Sequence, residues 1–414
     1  MGSYSIRHSS FVIRHSSRLL SLAVKRFTIY PLALRMRRKV SHAASQRAVS
    51  EPIVVAVELL NGTVGYGETL PRPYVTGETN ESVIALLRGE FVSQLLAFRA
   101  ETLGEALEHI DALPFISEDG HRCPAARAAV ELALLDATLR ALGKSFDTVP
   151  GWLGLPGFGS PGSLRQARYA LVLASESVRS VRRMLGWAWW LGMRNFKLKV
   201  GFADDDARMA AVQAVLGRQL AKGRATLRLD ANAAWTLEEA AAALTRWRDI
   251  PIAGVEQPLA ADADEDLVEL RRRTGAKIIH DESLALMEDA ERLHALDIAD
   301  IFNVRISKCG GVLAALKLAA FARQRGIQTQ LGCMVGETSI LSSAGVRFLE
   351  QTPGVTYCEG AYGKLLMGED VSRRSVHFGL GGRPPRLRTA GLVADVNPAL
   401  LRAHCIEEPI VVEL

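Results

Sequence analysis

The sequence predicts an α/β protein in two parts, an α+β domain followed by a closed barrel of parallel strands. Three observations lead there. From about residue 165, eight short apolar runs (RYALVL, NFKLKV, ATLRLD, IAGVEQ, AKIIHD, IFNVRIS, IQTQLG and VTYCEG) are mostly separated by helical segments. Continuous apolar strands alternating with helices imply a parallel sheet, and eight units imply closure into a barrel. Ahead of them, strand signals are followed by helix signals, the order of an α+β domain. Finally, Lys197/Lys199, Asp230, Glu256, Asp281 and Lys308 each stand at the end of an apolar run. Their intervals from Lys199 are 31, 26, 25 and 27 residues, about the chain needed for one strand, one helix and two loops.

Taken in order, residues 25–60 read as two strands, KRFTIYPLAL and PIVVAVELLNG, with a turn-like basic segment between them. Asn61-Gly62 before TVGYGE is a hairpin signal. PRPYVTGETNES reads as a loop. ESVIALLRGEFVSQLL, ETLGEALEHIDAL and CPAARAAVELALLDATLRALG carry helical spacing, the last ending at Gly143. After residue 385 the strand–helix rhythm stops, and that segment is expected to return to the first domain. The expected boundaries are 1–24 for a disordered tail, 25–150 for the N-terminal part of the first domain, 160–385 for the barrel and 386–414 for the returning segment.

A chain of 414 residues with 48% hydrophobic and 23% charged residues fits a soluble globular protein of two domains. The net charge of +5 is concentrated at one end. Residues 1–50 hold ten of the 50 Lys/Arg and no acid, leaving 40 basic against 45 acidic side chains elsewhere. That body offers no basic face for nucleic acid. The repeat of IRHSS at 6–10 and 13–17, in an acid-free start, reads as a disordered tail or a targeting segment. No run is long enough to span a membrane. Five widely spaced cysteines without a CxxC pair suit a reducing compartment, and a cytoplasmic location is expected.

Asp230, Glu256 and Asp281 would present three hard oxygen donors from adjacent strands at the barrel's active face. That set suits Mg²⁺ or Mn²⁺ with open positions for substrate or water. One acid after a strand is more often a helix cap; three in register are not. Lys197 and Lys199, two apart on one strand, face the same side. Their mutual repulsion is expected to lower a lysine pKa, as a general base requires. Lys308 lies four strands further on, about half-way round the ring.

FKLKVG, LDANAAW, VEQPL, HDES and ISKCGG resemble, in order and spacing, the enolase superfamily and its muconate-lactonizing-enzyme-like subgroup. RAAVELALLDATLRALGK is similar to the helix leading into the barrel in that family. The resemblance implies an α+β capping domain over a (β/α)₇β TIM-like barrel. It implies Mg²⁺ held by Asp230, Glu256 and Asp281, acid/base roles for Lys199 and Lys308, and Lys197 assisting near the substrate carboxylate. The implied reaction begins by removing a proton α to a carboxylate, giving an enediolate, in a racemase, epimerase or cycloisomerase of a small carboxylate such as an amino-acid derivative, dipeptide or muconate. A lyase of the same family, such as a dehydratase or an o-succinylbenzoate synthase, is the alternative.

The resemblance also places Asn232, Tyr74 and Thr76 at the substrate, the last two on a mobile loop, YGETLPRPYVTGET (66–79). Glu337 stands near an acid that relatives carry after a GCM-type sequence, with Gly336 as an insertion. On the eighth strand Glu359 and Ala361 replace the Asp-x-Asp pair with which dipeptide epimerases grip an α-ammonium. The implied partner is a small-molecule carboxylate, with neither nucleic acid nor membrane, in a homo-oligomer.

Overall fold

The computed structural model describes residues 22–42, 45–159, 163–174, 177–387, 391–393 and 395–414. The predicted tail lies outside these residues up to 21, but its last three residues do not. Leu22–Val24 open strand β1 (Leu22–Pro31) and are buried.

The first layer is an antiparallel sheet ordered β15-β1-β4-β5, with β4 Ile53–Leu59, β5 Val64–Thr69 and β15 Ile410–Glu413. A short strand, β6 Arg99–Ala100, pairs with the start of β1. The β4–β5 connection turns at Gly62 with φ +82°, which a residue without Cβ adopts freely. Ile410–Glu413 pair with Arg26–Ile29, so the C-terminus closes the sheet begun near the N-terminus. The basic segment expected to be a turn instead forms a hairpin, β2 Leu34–His42 and β3 Ser45–Ser50. Successive Arg and Lys residues interrupt the apolar pattern there after Leu34, which is buried in the core, and Met36, which packs against it.

The helix Pro124–Ala141 packs on β5 and is buried on nearly every side. Alanines face glycines across this contact. A Cβ on Gly65 would collide with the backbone of Ala137, and one on Gly67 with that of Ala129. The interface therefore needs both small residues.

The second part is a parallel sheet of eight strands in sequence order: β7 Leu171–Leu173, β8 Asn195–Lys199, β9 Thr226–Asp230, β10 Ile252–Glu256, β11 Ile278–His280, β12 Ile301–Val304, β13 Gln328–Leu331 and β14 Val355–Cys358. A parallel bridge from Tyr169 to Cys358, with the Ala170 N–H donating to the Cys358 carbonyl at 2.8 Å, closes the ring. Helices Val178–Trp190, Asp205–Ala221, Leu237–Arg246, Asp264–Thr274, Met287–Ala295, Val312–Gln324 and Ser339–Gln351 fill the seven intervals. The fold is the expected (β/α)₇β barrel with an α+β cap. No helix among the described residues is long and apolar enough to cross a membrane.

Two carboxylates from the cap dock the 66–79 segment over the barrel mouth. Glu68 accepts from the Thr338 N–H (2.8 Å), Thr338 Oγ1 (2.6 Å) and the Leu341 N–H (3.0 Å), at the start of the helix after β13. Glu78 accepts from the N–H groups of Ala125 (2.7 Å) and Ala126 (2.9 Å), which open the helix Pro124–Ala141. Helix N-termini carry unpaired donors and partial positive charge, which both carboxylates use. Between these anchors Thr69 Oγ1 meets Ser307 Oγ at 2.8 Å, on the loop that carries Lys308.

Candidate active site

Asp230 and Glu256 are the last residues of β9 and β10, and Asp281 follows β11 directly. Their strands are neighbours, and Asp230 is the register partner of both Lys199 and Glu256. All three carboxylates are buried, as are Lys197, Lys199 and Lys308. The structure therefore brings the six charged residues singled out by their spacing into one cluster.

Lys197 Nζ lies 3.1 Å from Asp230 Oδ2, 3.0 Å from Glu256 Oε1 and 2.6 Å from Glu359 Oε2. Burial opposes its charge, but these three carboxylates outweigh burial and hold its pKa well above the ordinary lysine value. This reverses the expected lowering by Lys–Lys repulsion, because opposite charges at about 3 Å dominate a like charge that is also neutralised. Lys199 Nζ donates to Asp230 Oδ2 at 3.1 Å and to Asn232 Oδ1. Asp230 pays for burial but is kept well below the usual carboxylate range by Lys197 and Lys199. Lys308 Nζ donates to the Asp281 carbonyl (2.6 Å), Asp281 Oδ1 (2.9 Å) and the Asn303 carbonyl (2.9 Å).

Asn232 sits inside this network. Its N–H donates to Asp230 Oδ1 (3.1 Å) and its Nδ2 to Glu282 Oε1 (3.3 Å). Glu359 is also inside, ion-paired to Lys197 and, at 2.7 Å, to Arg228. Both its oxygens are thus engaged by the protein. Glu337 lies to one side, in a small pocket with Tyr169, Cys333, Ser342, Glu359 and Ala361. It accepts from Ser342 Oγ (2.9 Å), and burial pushes its carboxyl up to about 7. Tyr74 and Thr76 lie on the short cap helix Pro73–Thr76, within the 66–79 segment, with Tyr74 exposed.

Several site residues were not singled out from the sequence. Arg228, Asn303 and Gln330 line the barrel beneath the cluster. Asn303 Nδ2 and Gln330 Nε2 donate to Glu256 Oε1 (3.1 Å) and Oε2 (2.8 Å). Arg305 contacts Asp281 Oδ2 and lies 3.8 Å from Glu256 Oε1. Period-two alternation along IFNVRIS would have found Asn303 and Arg305 together. Glu282, next to Asp281 in HDES, is half-buried, with its Oε2 shielded from solvent and lacking a hydrogen-bond partner. Burial, then the charges of Asp230 and Glu256, push its carboxyl up to about 7.

Among the described residues no three acidic, His or Cys side chains converge as a ready metal cage; each of the three carboxylates is turned to basic partners. The donor chemistry nonetheless fits a divalent cation. Four carboxylates stand at the ends of three neighbouring strands, and the orphaned oxygen of Glu282 marks where positive charge is short.

A family model described as "Enolase C-terminal domain-like" matches residues 176–398. The chain is 28% identical over 391 residues to the N-succinyl-L-Arg/Lys racemase of Bacillus cereus, covering 92% of this chain and 98% of that one. It is 30% identical over 333 residues to muconate cycloisomerase 1-2 of Acinetobacter lwoffii, covering 79% and 81%. The crystal structure of a dipeptide epimerase from Cytophaga hutchinsonii, complexed with Mg and the dipeptide D-Ala-L-Val, superposes with a TM-score of 0.77 at 20% identity, covering 94% of this chain and 100% of that one.

Proposed function

This chain belongs to the enolase superfamily as an isomerase, and from that premise we propose that it removes a proton α to the carboxylate of a small substrate, forming an enediolate. The observation that carries the proposal is the pairing of Lys199 with Asp230 across adjacent strand ends, Nζ to Oδ2 3.1 Å. It sets a lysine beside the carboxylates suited to a cation, where a substrate carboxylate would also bind.

In this reading Asp230, Glu256 and Asp281 hold one Mg²⁺, which a structural relative also contains; the ion would acidify the α-proton and balance charge on the carboxylate. Charge supports the substrate class. The cluster holds five carboxylates (Asp230, Glu256, Asp281, Glu282, Glu359) against five cations (Lys197, Lys199, Arg228, Arg305, Lys308). With a divalent cation bound the site is net positive, which suits a carboxylate that gains a second negative charge on losing its α-proton. Lys199 takes that proton. Asn232 orients its Nζ, and Lys197 stays protonated, fixed by three carboxylates, as a permanent positive charge under the site.

The relatives are named for racemisation and cycloisomerisation, and both begin with this step. The free oxygens that would grip an α-ammonium are missing on β14, where Glu359 is engaged by Lys197 and Arg228 and residue 361 is alanine. That favours substrates whose nitrogen is acylated, or which lack nitrogen, over free dipeptides. The deciding experiment is a screen of the purified protein with Mg²⁺ against dipeptides, N-acyl amino acids and muconates, reading α-deuteration by NMR in D₂O. Exchange or isomerisation of one class supports the reading; a protein inert to all three defeats it.

A further inference from the structure

The sixth barrel strand, β12, brings two cations to the site, and they are used differently. Asn303 defines its inward side by donating to Glu256 Oε1. Period two carries that side on to Arg305, just as it carries Lys197 to Lys199 on β8. β8 and β12 are four strands apart in a ring of eight. Arg305 and Lys199 therefore enter the mouth from opposite sides.

Lys308 stands beyond the strand end at Val304. It is fully buried, and its three acceptors, two of them backbone carbonyls, match the three N–H bonds of an ammonium. Nothing remains to offer a substrate. Arg305 is the reverse. Its Nη2 reaches Asp281 Oδ2, its Nη1 has a thioether neighbour, Met334 Sδ at 3.8 Å, and its Nε has no hydrogen-bond partner. The barrel makes room for it: a Cβ on Gly332 would lie 2.9 Å from Arg305 Cγ.

We infer that Arg305 is the group that meets the substrate on the face opposite Lys199, that Lys308 is a strut holding the Asp281 loop, and that the proton therefore moves on the Lys199 face alone. This rests on the α-proton reading above. A guanidinium remains protonated in proteins and binds carboxylates through paired N–H groups, so it supplies charge and orientation without taking a proton. Inversion at the α-carbon needs a proton carrier on each face. One carrier suits cycloisomerisation. There the Cα–H pair becomes the enediolate, whose collapse forms Cα=Cβ and breaks the bond from Cβ to a carboxylate oxygen. That carboxylate stays in the same molecule, Lys199 holds the proton, and the reverse sequence closes the ring. Of the two reactions for which the relatives are named, this selects cycloisomerisation, and the substrate class is then an unsaturated dicarboxylate and its lactone.

The test uses the full chain at saturating Mg²⁺ with Arg305→Met, Arg305→Lys and Lys308→Met. Oxalate, a planar dianion, serves as a probe of charge at the site by calorimetry. The thermal midpoint is read in parallel, and exchange stereochemistry is followed on the carboxylates of the screen. Loss of a charged hydrogen bond should weaken oxalate by roughly tenfold or more in Arg305→Met with an unchanged melting temperature. Arg305→Lys should hold oxalate and add exchange on the second face. Lys308→Met should melt lower while exchange stays on one face. Unchanged oxalate affinity in Arg305→Met overturns the inference, as does two-faced wild-type exchange that Lys308→Met makes one-faced. Arg305-dependent oxalate binding in a protein that exchanges no α-proton would support the placement of Arg305 and defeat the enediolate reading instead.

Discussion

Gly311 and Glu131 join the two parts of the molecule. A Cβ on Gly311 would coincide with the carboxylate of Glu131, and Gly311 itself has φ +118°. Glu131 Oε1 accepts from the Leu313 N–H at 3.2 Å, and Arg127, one turn earlier on the same helix, donates to the Gly310 carbonyl. The two glycines after Lys308-Cys309 thus let the buried helix Pro124–Ala141 seat against the loop that carries Lys308.

Gly311→Ala should therefore destabilise the protein by about 2–5 kcal/mol, combining overpacking with a backbone conformation that alanine resists. Thermal or urea unfolding measures this. A variant as stable as wild type would show that the cap helix shifts without cost.

Mg²⁺ affinity should depend on Asp230, Glu256 and Asp281 individually. Removing a group that merely supports a ligand costs roughly 10–100-fold in affinity, so Asp230→Asn, Glu256→Gln and Asp281→Asn should each lose at least that by calorimetry. Retained affinity in any one removes that residue from the ligand set.

Lys199→Ala should lower α-proton exchange by about 10²–10⁴-fold, the usual worth of a general base, with Mg²⁺ affinity largely kept. Exchange at the wild-type rate would exclude Lys199 as the base.

Stability should fall as pH rises from the ordinary carboxylate range through neutrality. Burial pushes the carboxyl of Glu131 up to about 8, that of Glu68 to about 8 and that of Glu78 to about 7. The folded state keeps protons there that the unfolded chain, with ordinary carboxylates, has released. Stability is therefore full at low pH and declines as pH rises to these values. His280 acts at the other end. Burial holds it down to about 4, so its share is lost as pH falls from the ordinary imidazole range towards that value. The melting temperature should be higher near about pH 6.5 than near about pH 8.5, and Glu131→Gln should narrow that gap. A flat profile in wild type would contradict the burial argument.

The barrel was legible because each strand is a short continuous apolar run and each interval holds a helical pattern; buried parallel strands leave that imprint on sequence. The ends of those runs located Lys199, Asp230 and Glu256 as the last residues of β8, β9 and β10, since the apolar run stops where the strand reaches the polar mouth. The hairpin of β2 and β3 left no comparable imprint, because the run of Arg and Lys after Met36 breaks the apolar pattern that Leu34 begins.

Within the site, order along the chain determined which charged residues exist, and only the tertiary structure decided what each one faces. Glu359 stands at a strand end in the sequence, but its oxygens are occupied because Lys197 and Arg228 project to the same depth of the barrel. Lys308 is the more conspicuous residue on its segment because lysine is a common base. Alternation is a guide only while a strand lasts, and β12 stops at Val304. Beyond it the chain turns, Lys308 folds beneath Asp281 onto two carbonyls, and Arg305 keeps the inward direction of the strand. Which of the two cations keeps a free donor is thus set by how the chain turns after β12, a property of the folded barrel rather than of residue order.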